Sequence, residues 1–163
     1  SGSPDYLEIL SEQALGLPRP DEAIAFLAAR RATEIDPTRA FSWARLAYLE
    51  TRRDGGKVNA EALAALTRSM EACPLCDTQL IRWRFNFVLT HWDDMPEDIR
   101  RAAFVHADLL RWIGAHEDFL AEMRVKANLK GIPFDAYRKA VDTPARSWDI
   151  ASAPRLRGTQ AVE

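Results

Sequence analysis

Apolar residues recur along this chain with the three-to-four residue spacing of α-helices, from about Tyr6 to Asp142. A first helix is predicted over Tyr6–Leu15, stopped at Gly16 with Pro18 and Pro20 behind it. The second, Asp21–Ile35, carries Ile24, Leu27, Ala28 and Ile35 on one stripe. Asp36-Pro37 then closes it and opens a third, Thr38–Arg52, since proline tolerates a first helical position. Asn59 is a suitable cap for a fourth helix ending near Ala72, with Val58 and Leu63 placed as a hydrophobic staple. Asp77 caps a fifth that reaches Trp92; its two apolar faces require two packing partners. Further helices are predicted from Pro96 to Ile113, over Glu117–Lys130, and over Phe134–Val141.

A longer period is superposed on this one. Thirty-seven residues separate Pro37 from Pro74, and the same step carries Trp43 to Leu80, Leu46 to Trp83 and Ala62 to Ile99. Helical sequence with such a repeat predicts stacked helical hairpins. The expected fold is all-α: a right-handed stack of about four antiparallel hairpins over residues 6–142. Residues 1–5 read as a tag remnant and linker, and 143–163, where periodicity is lost, as an extended tail that can dock through Trp148.

The second helices follow a small–large–small–proline spacing, in Ala62, Leu66, Ser69 and Pro74 and again in Ala25, Ala29, Ala32 and Pro37. Trp43, Leu46 and Ala47 supply the matching first-helix positions, which Leu80, Trp83 and Arg84 fill in part. The pattern resembles the tetratricopeptide repeat over residues 20–115, with three residues more per repeat than is usual there. A second, narrower resemblance lies in the run from Phe41 to Glu50, in Trp83-Arg-Phe-Asn-Phe and in Trp92-Asp-Asp-Met-Pro. These segments look like membrane-anchored repeat proteins of bacterial exopolysaccharide loci. That resemblance implies an accessory role in assembling or exporting a surface polysaccharide. It also implies a periplasmic location, with an inner-membrane anchor upstream of this sequence; a cytoplasmic location is the alternative.

The net charge of −2, with 28% charged and 47% apolar residues, argues against a nucleic-acid footprint, and no apolar run is long enough to cross a bilayer. Motifs for phosphate loops, zinc proteases and serine hydrolases are missing. The reading is therefore of a non-catalytic interaction scaffold without cofactor or metal. Its partner is a protein whose peptide or helix lies in a concave groove lined by the first helices. Arg45, Arg52, Arg82 and Arg84 are its candidate carboxylate anchors, and Trp92, Trp112 and Trp148 its candidate surface aromatics. A terminal hairpin free to self-associate would give a homodimer.

Two other classes compete. Trp92, Trp112 and Trp148 could stack on the pyranose rings of a polysaccharide. Cys73-Pro-Leu-Cys76 or the His91, Asp93, Asp94 cluster could serve an enzyme or its accessory domain. Cys73 ends a helix, where the dipole disfavours thiolate, so the pair is expected to be structural, as a disulfide in an oxidising compartment. The two aspartates, like Glu117 after His116, suit a helix start. His106 lies on an apolar stripe and is expected to be a hydrogen-bonded core residue, while Trp43 and Trp83 are expected in the core.

Overall fold

The computed structural model describes residues 2–141. The expected tail, 143–163, and Trp148 with it lie outside them. The described residues form eight α-helices and no strand: α1 (Pro4–Gly16), α2 (Glu22–Ile35), α3 (Ala40–Arg53), α4 (Ala60–Ala72), α5 (Thr78–Thr90), α6 (Glu97–Trp112), α7 (Glu117–Leu129) and α8 (Phe134–Val141). The chain divides between Pro74 and Leu75 into two compact units.

Most helix starts are set by local chemistry. The side chains of Ser3, Asp21, Asn59 and Asp77 accept hydrogen bonds from the backbone N–H three residues on, satisfying one orphan donor at each helix start. The predicted start at Pro37–Thr38 is displaced. Asp36 accepts from both the backbone N–H and the hydroxyl of Thr38 and holds Arg39 at 2.9 Å. This turn delays α3 to Ala40. The fifth helix is shorter than its apolar pattern, since it ends at Thr90 and Trp92–Asp94 form a separate 3₁₀ turn.

The first unit is two antiparallel hairpins, α1/α2 and α3/α4, joined through α2 against α3. Ala25, Ala29 and Ala32 on α2, and Ala62, Leu66 and Ser69 at the matching positions of α4, are all fully buried. Small side chains let the paired backbones approach closely enough for a hydroxyl to bridge them. Ser11 Oγ donates to the Ala25 carbonyl at 2.8 Å, and Ser69 Oγ to that of Ala40 at 2.7 Å. A polar seam joins α1 to α3. Arg39 meets Asp5 at 2.6 Å, and Ser42 donates to Glu8 at 2.8 Å.

In the second unit α5 pairs with α6, and α7 and α8 close over them. Phe85, Phe104, Phe119 and Phe134 form its aromatic centre, with Phe85 and Phe104 edge to face at 5.0 Å. Lys126 donates to Asn86 and Thr90, and Lys130 to the carbonyls of Leu89 and Thr90, so two ammonium groups, one on α7 and one just past its end, complement the negative end of α5. Gly131 has φ +71°, a conformation that suits glycine. It lets Ile132 N–H reach back to the Ala127 carbonyl, which ends α7 and turns the chain into α8. His116 stands at the start of α7, yet its side chain makes no cap bond. Trp43 and Trp83 are half-buried: the Trp43 indole donates to the Pro37 carbonyl, and Trp83 stacks on Phe87 at 5.0 Å. The bond to a loop carbonyl holds the Trp43 ring at the rim of the core.

Candidate interaction site

The turn at Gly131 brings α8 beside α6 and α7 and leaves a cleft of about 330 Å³ in the second unit. Phe85, Phe104 and Phe134 form its floor, with Ala107, Leu120 and Ala121 beside them. Asp108 and Arg111 of α6, Glu117 and Arg124 of α7, and Arg138 of α8 line the remainder. Arg111 lies 2.8 Å from Asp108, and Arg124 is held 2.7 Å from Asp135. Arg138 is exposed and forms no ion pair with a described residue. An apolar floor beneath polar groups is the usual make-up of a recognition pocket, and this volume lies at the small end of that range.

The residues singled out in the sequence fall elsewhere. Arg45 donates to the Glu8 carbonyl and lies 3.3 Å from Glu12; Arg52 pairs with Glu22 at 3.0 Å. Both tie helices of the first unit to one another. Arg82 covers the Phe119 ring at 4.5 Å. Arg84 is 1% exposed and belongs to the core of the second unit. Its neighbour in the core is His106, 8% exposed, whose Nδ1 meets no hydrogen-bond partner among the described residues. The expected burial of His106 is present, but this nitrogen lacks the expected bond. Burial lowers the Arg84 guanidinium to about 10, opposed by Asp77.

Trp92 is only 7% exposed. Its ring lies edge-on to Tyr137 at 4.9 Å, Arg100 covers it at 4.6 Å, and Arg100 also donates to its carbonyl. It locks the 3₁₀ turn under α8 and offers no surface. Trp112, by contrast, is 62% exposed and flanked by the Arg111 guanidinium at 5.7 Å. His91 packs on Phe87 at 4.6 Å, and its imidazole is lowered chiefly by burial. Among the described residues no three His, Cys, Asp or Glu side chains are grouped to hold a metal ion.

Cys73 and Cys76 are joined in a disulfide between α4 and α5. A loop this short restricts the unfolded chain least, so its reduction is expected to cost about 2 kcal/mol. Urea midpoints with and without a phosphine reductant measure this, and a Cys73→Ser, Cys76→Ser protein should not respond to the reductant.

The cleft escaped sequence reading because its walls come from four helices spread over more than fifty residues. One signal was available: Phe134 follows Ile132-Pro133 directly, an apolar residue set at a forced turn. No described helix is long and apolar enough to cross a membrane. Comparison with protein-family models, with characterised proteins and with solved structures finds no match. The geometry of the chain itself therefore carries the functional argument.

Proposed function

We propose that this chain is a non-catalytic protein-interaction domain whose partner inserts an apolar side chain, flanked by a carboxylate, into the α5–α8 cleft. The observation that carries the reading is the phenylalanine floor lying beside Arg138. Burying the partner's side chain on that floor is worth roughly 25 cal/mol per Å² of apolar surface. A guanidinium then fixes direction, because its forked donors match a carboxylate. Each contribution alone is modest; together they favour a short segment over a free ion or a bare hydrocarbon.

The process proposed for this interaction is assembly or export of a bacterial surface polysaccharide, in the periplasm, on a protein held at the inner membrane. The tryptophan-rich segments and their resemblance support that placement, as does a disulfide, which oxidising compartments sustain. Exposed Trp112 beside Arg111 keeps a second reading in view, stacking on a sugar ring; fluorescence that ignores the native polysaccharide would remove it.

The test is photo-crosslinking in cells from p-benzoylphenylalanine placed at Ala121, an exposed residue of the cleft. Envelope polysaccharide components should be captured, and Arg138→Glu should reduce capture about ten-fold, the equivalent of roughly 1.4 kcal/mol. Capture indifferent to Arg138→Glu would remove the cleft from the interaction. Capture of cytosolic proteins alone would remove the polysaccharide assignment.

A further inference from the structure

We infer that the flank of the first unit formed by α1 and α2 is a self-association surface, on which a second copy of the chain docks with its α2 antiparallel to the first. The inference stands apart from the cleft, which belongs to the second unit.

Helical phase identifies the flank. On α1, Glu8 and Glu12 engage Ser42 and Arg45 of α3. On α2, Glu22 pairs with Arg52 and the Phe26 ring lies under Arg53. Residues set roughly a third to half of a turn round from these point away from α3. They are Tyr6 of α1, Leu17 in the turn behind it, and Ile24, Leu27 and Ile35 of α2. All five are exposed, from 41% for Ile35 to 65% for Leu27. Hairpins whose outer side meets water are ordinarily polar there. This one leaves on the order of 500 Å² of apolar surface bare, as much as the largest patch of most monomers.

Area and charge point to a second copy as the occupant. Two such faces in contact would cover about 1,000 Å² of apolar surface, and a polar rim raises this to the roughly 1,200–2,000 Å² of stable specific interfaces. The face is also self-complementary, because its charge is split along α2. Asp21 caps the N-terminal end, and Arg31, beside Glu34, lies toward the other. A two-fold axis level with Phe26 relates antiparallel copies of α2 and brings Arg31 of each opposite the partner's Asp21. The same register sets Leu17 against the partner's Ile35. It also sets Ile24 against the partner's Ala28, a large side chain over a small one, as close helix packing requires. Parallel copies would instead stack Arg31 on Arg31. A lipid surface would leave this order of charge unused.

Sedimentation equilibrium of the full chain, from micromolar to millimolar protein, tests the inference. A reversible dimer is expected. Leu27→Glu should weaken it at least thirty-fold, or about the effect of losing a central anchor, with the far-ultraviolet circular dichroism unchanged. Arg31→Glu, which sets acid against acid, should weaken it about ten-fold. Register is read by mixing Leu17→Cys protein with Ile35→Cys protein under mild oxidation. The mixed disulfide should form in preference to either like pair, since bridged Cα atoms must come within about 7 Å. Cysteines that pair like with like overturn the antiparallel register. A dimer that Leu27→Glu leaves intact overturns the inference in favour of another surface. A monomer at every concentration overturns it and leaves the face to a different occupant.

Discussion

Replacing Phe85 by alanine should lower the stability of the protein by about 3–5 kcal/mol, the largest loss expected of any single aromatic truncation here. The ring is 1% exposed and touches the rings of Phe104, Phe119 and Phe134 at centroid distances of 5.0, 6.5 and 6.1 Å. Its removal forfeits both the burial of an aromatic side chain and its contacts with three other rings, and it leaves a void where α5, α6, α7 and α8 meet. The void cannot collapse without moving α7 and α8. Chemical denaturation read by far-ultraviolet circular dichroism measures the loss. Trp112→Ala serves as the control: that side chain is 62% exposed, and its truncation should stay within about 0.5 kcal/mol. A Phe85→Ala protein as stable as the wild type would mean that the aromatic centre does not hold the second unit together. Since Phe85 also floors the cleft, the variant should bind the partner more weakly even where it remains folded.

Stability should fall as the pH is lowered from 6.5 to 5, before most carboxylates protonate, and His106 should account for most of the fall. Burial, and after it the neighbouring Arg84 guanidinium, push the His106 imidazole from its ordinary 6.5 to about 3. The folded value is the lower one, so between 6.5 and 3 the unfolded chain takes up a proton that the folded chain refuses. The stability is whole above 6.5 and is lost as the pH falls through that window. The slope approaches 1.4 kcal/mol per pH unit, or about 2 kcal/mol between 6.5 and 5. His91, lowered to a lesser degree by partial burial, adds to it. Glu34, Asp36 and Glu97 are held below the ordinary carboxylate range by their hydrogen bonds, so their contribution is lost only at lower pH. Urea midpoints at pH 7, 6 and 5 test this. His106→Gln should flatten most of the dependence, and an unflattened profile would assign it to other groups.

The same pair of residues shows where the thirty-seven residue period ends as a guide. Stepping from Ala47 leads to Arg84, and from Ala32 through Ser69 to His106. Ala47, Ala32 and Ser69 are fully buried where two helices meet closely. In the second unit those equivalent positions hold a guanidinium and an imidazole, still buried. The period reports spacing, and spacing survives even where the chemistry of the contact changes.

Helices were legible in the sequence because their signals are local. A capping side chain reaches three residues, an amphipathic stripe repeats within four, and a glycine stops a helix where it stands. Asn59, Asp77, Gly16 and Gly131 could therefore be read one at a time, and the small residues of α2 and α4 by their spacing. The missed boundaries arose where two local signals competed: Asp36 bonded forward to Thr38 and delayed α3, and Trp92 left its helix to bury itself under α8. What a side chain does after its helix has formed depends on partners distant in the chain. Arg45 and Arg52 spend their charge on α1 and α2, Arg84 is sealed in the core, and the cleft with Arg138 exists only where α5, α6, α7 and α8 converge. The helices and their hairpin period follow from short stretches of sequence, because backbone hydrogen bonding and periodic burial act over a few residues. Which arginines and aromatics face solvent is settled by the packing of distant helices, because burial is a property of the surfaces that meet.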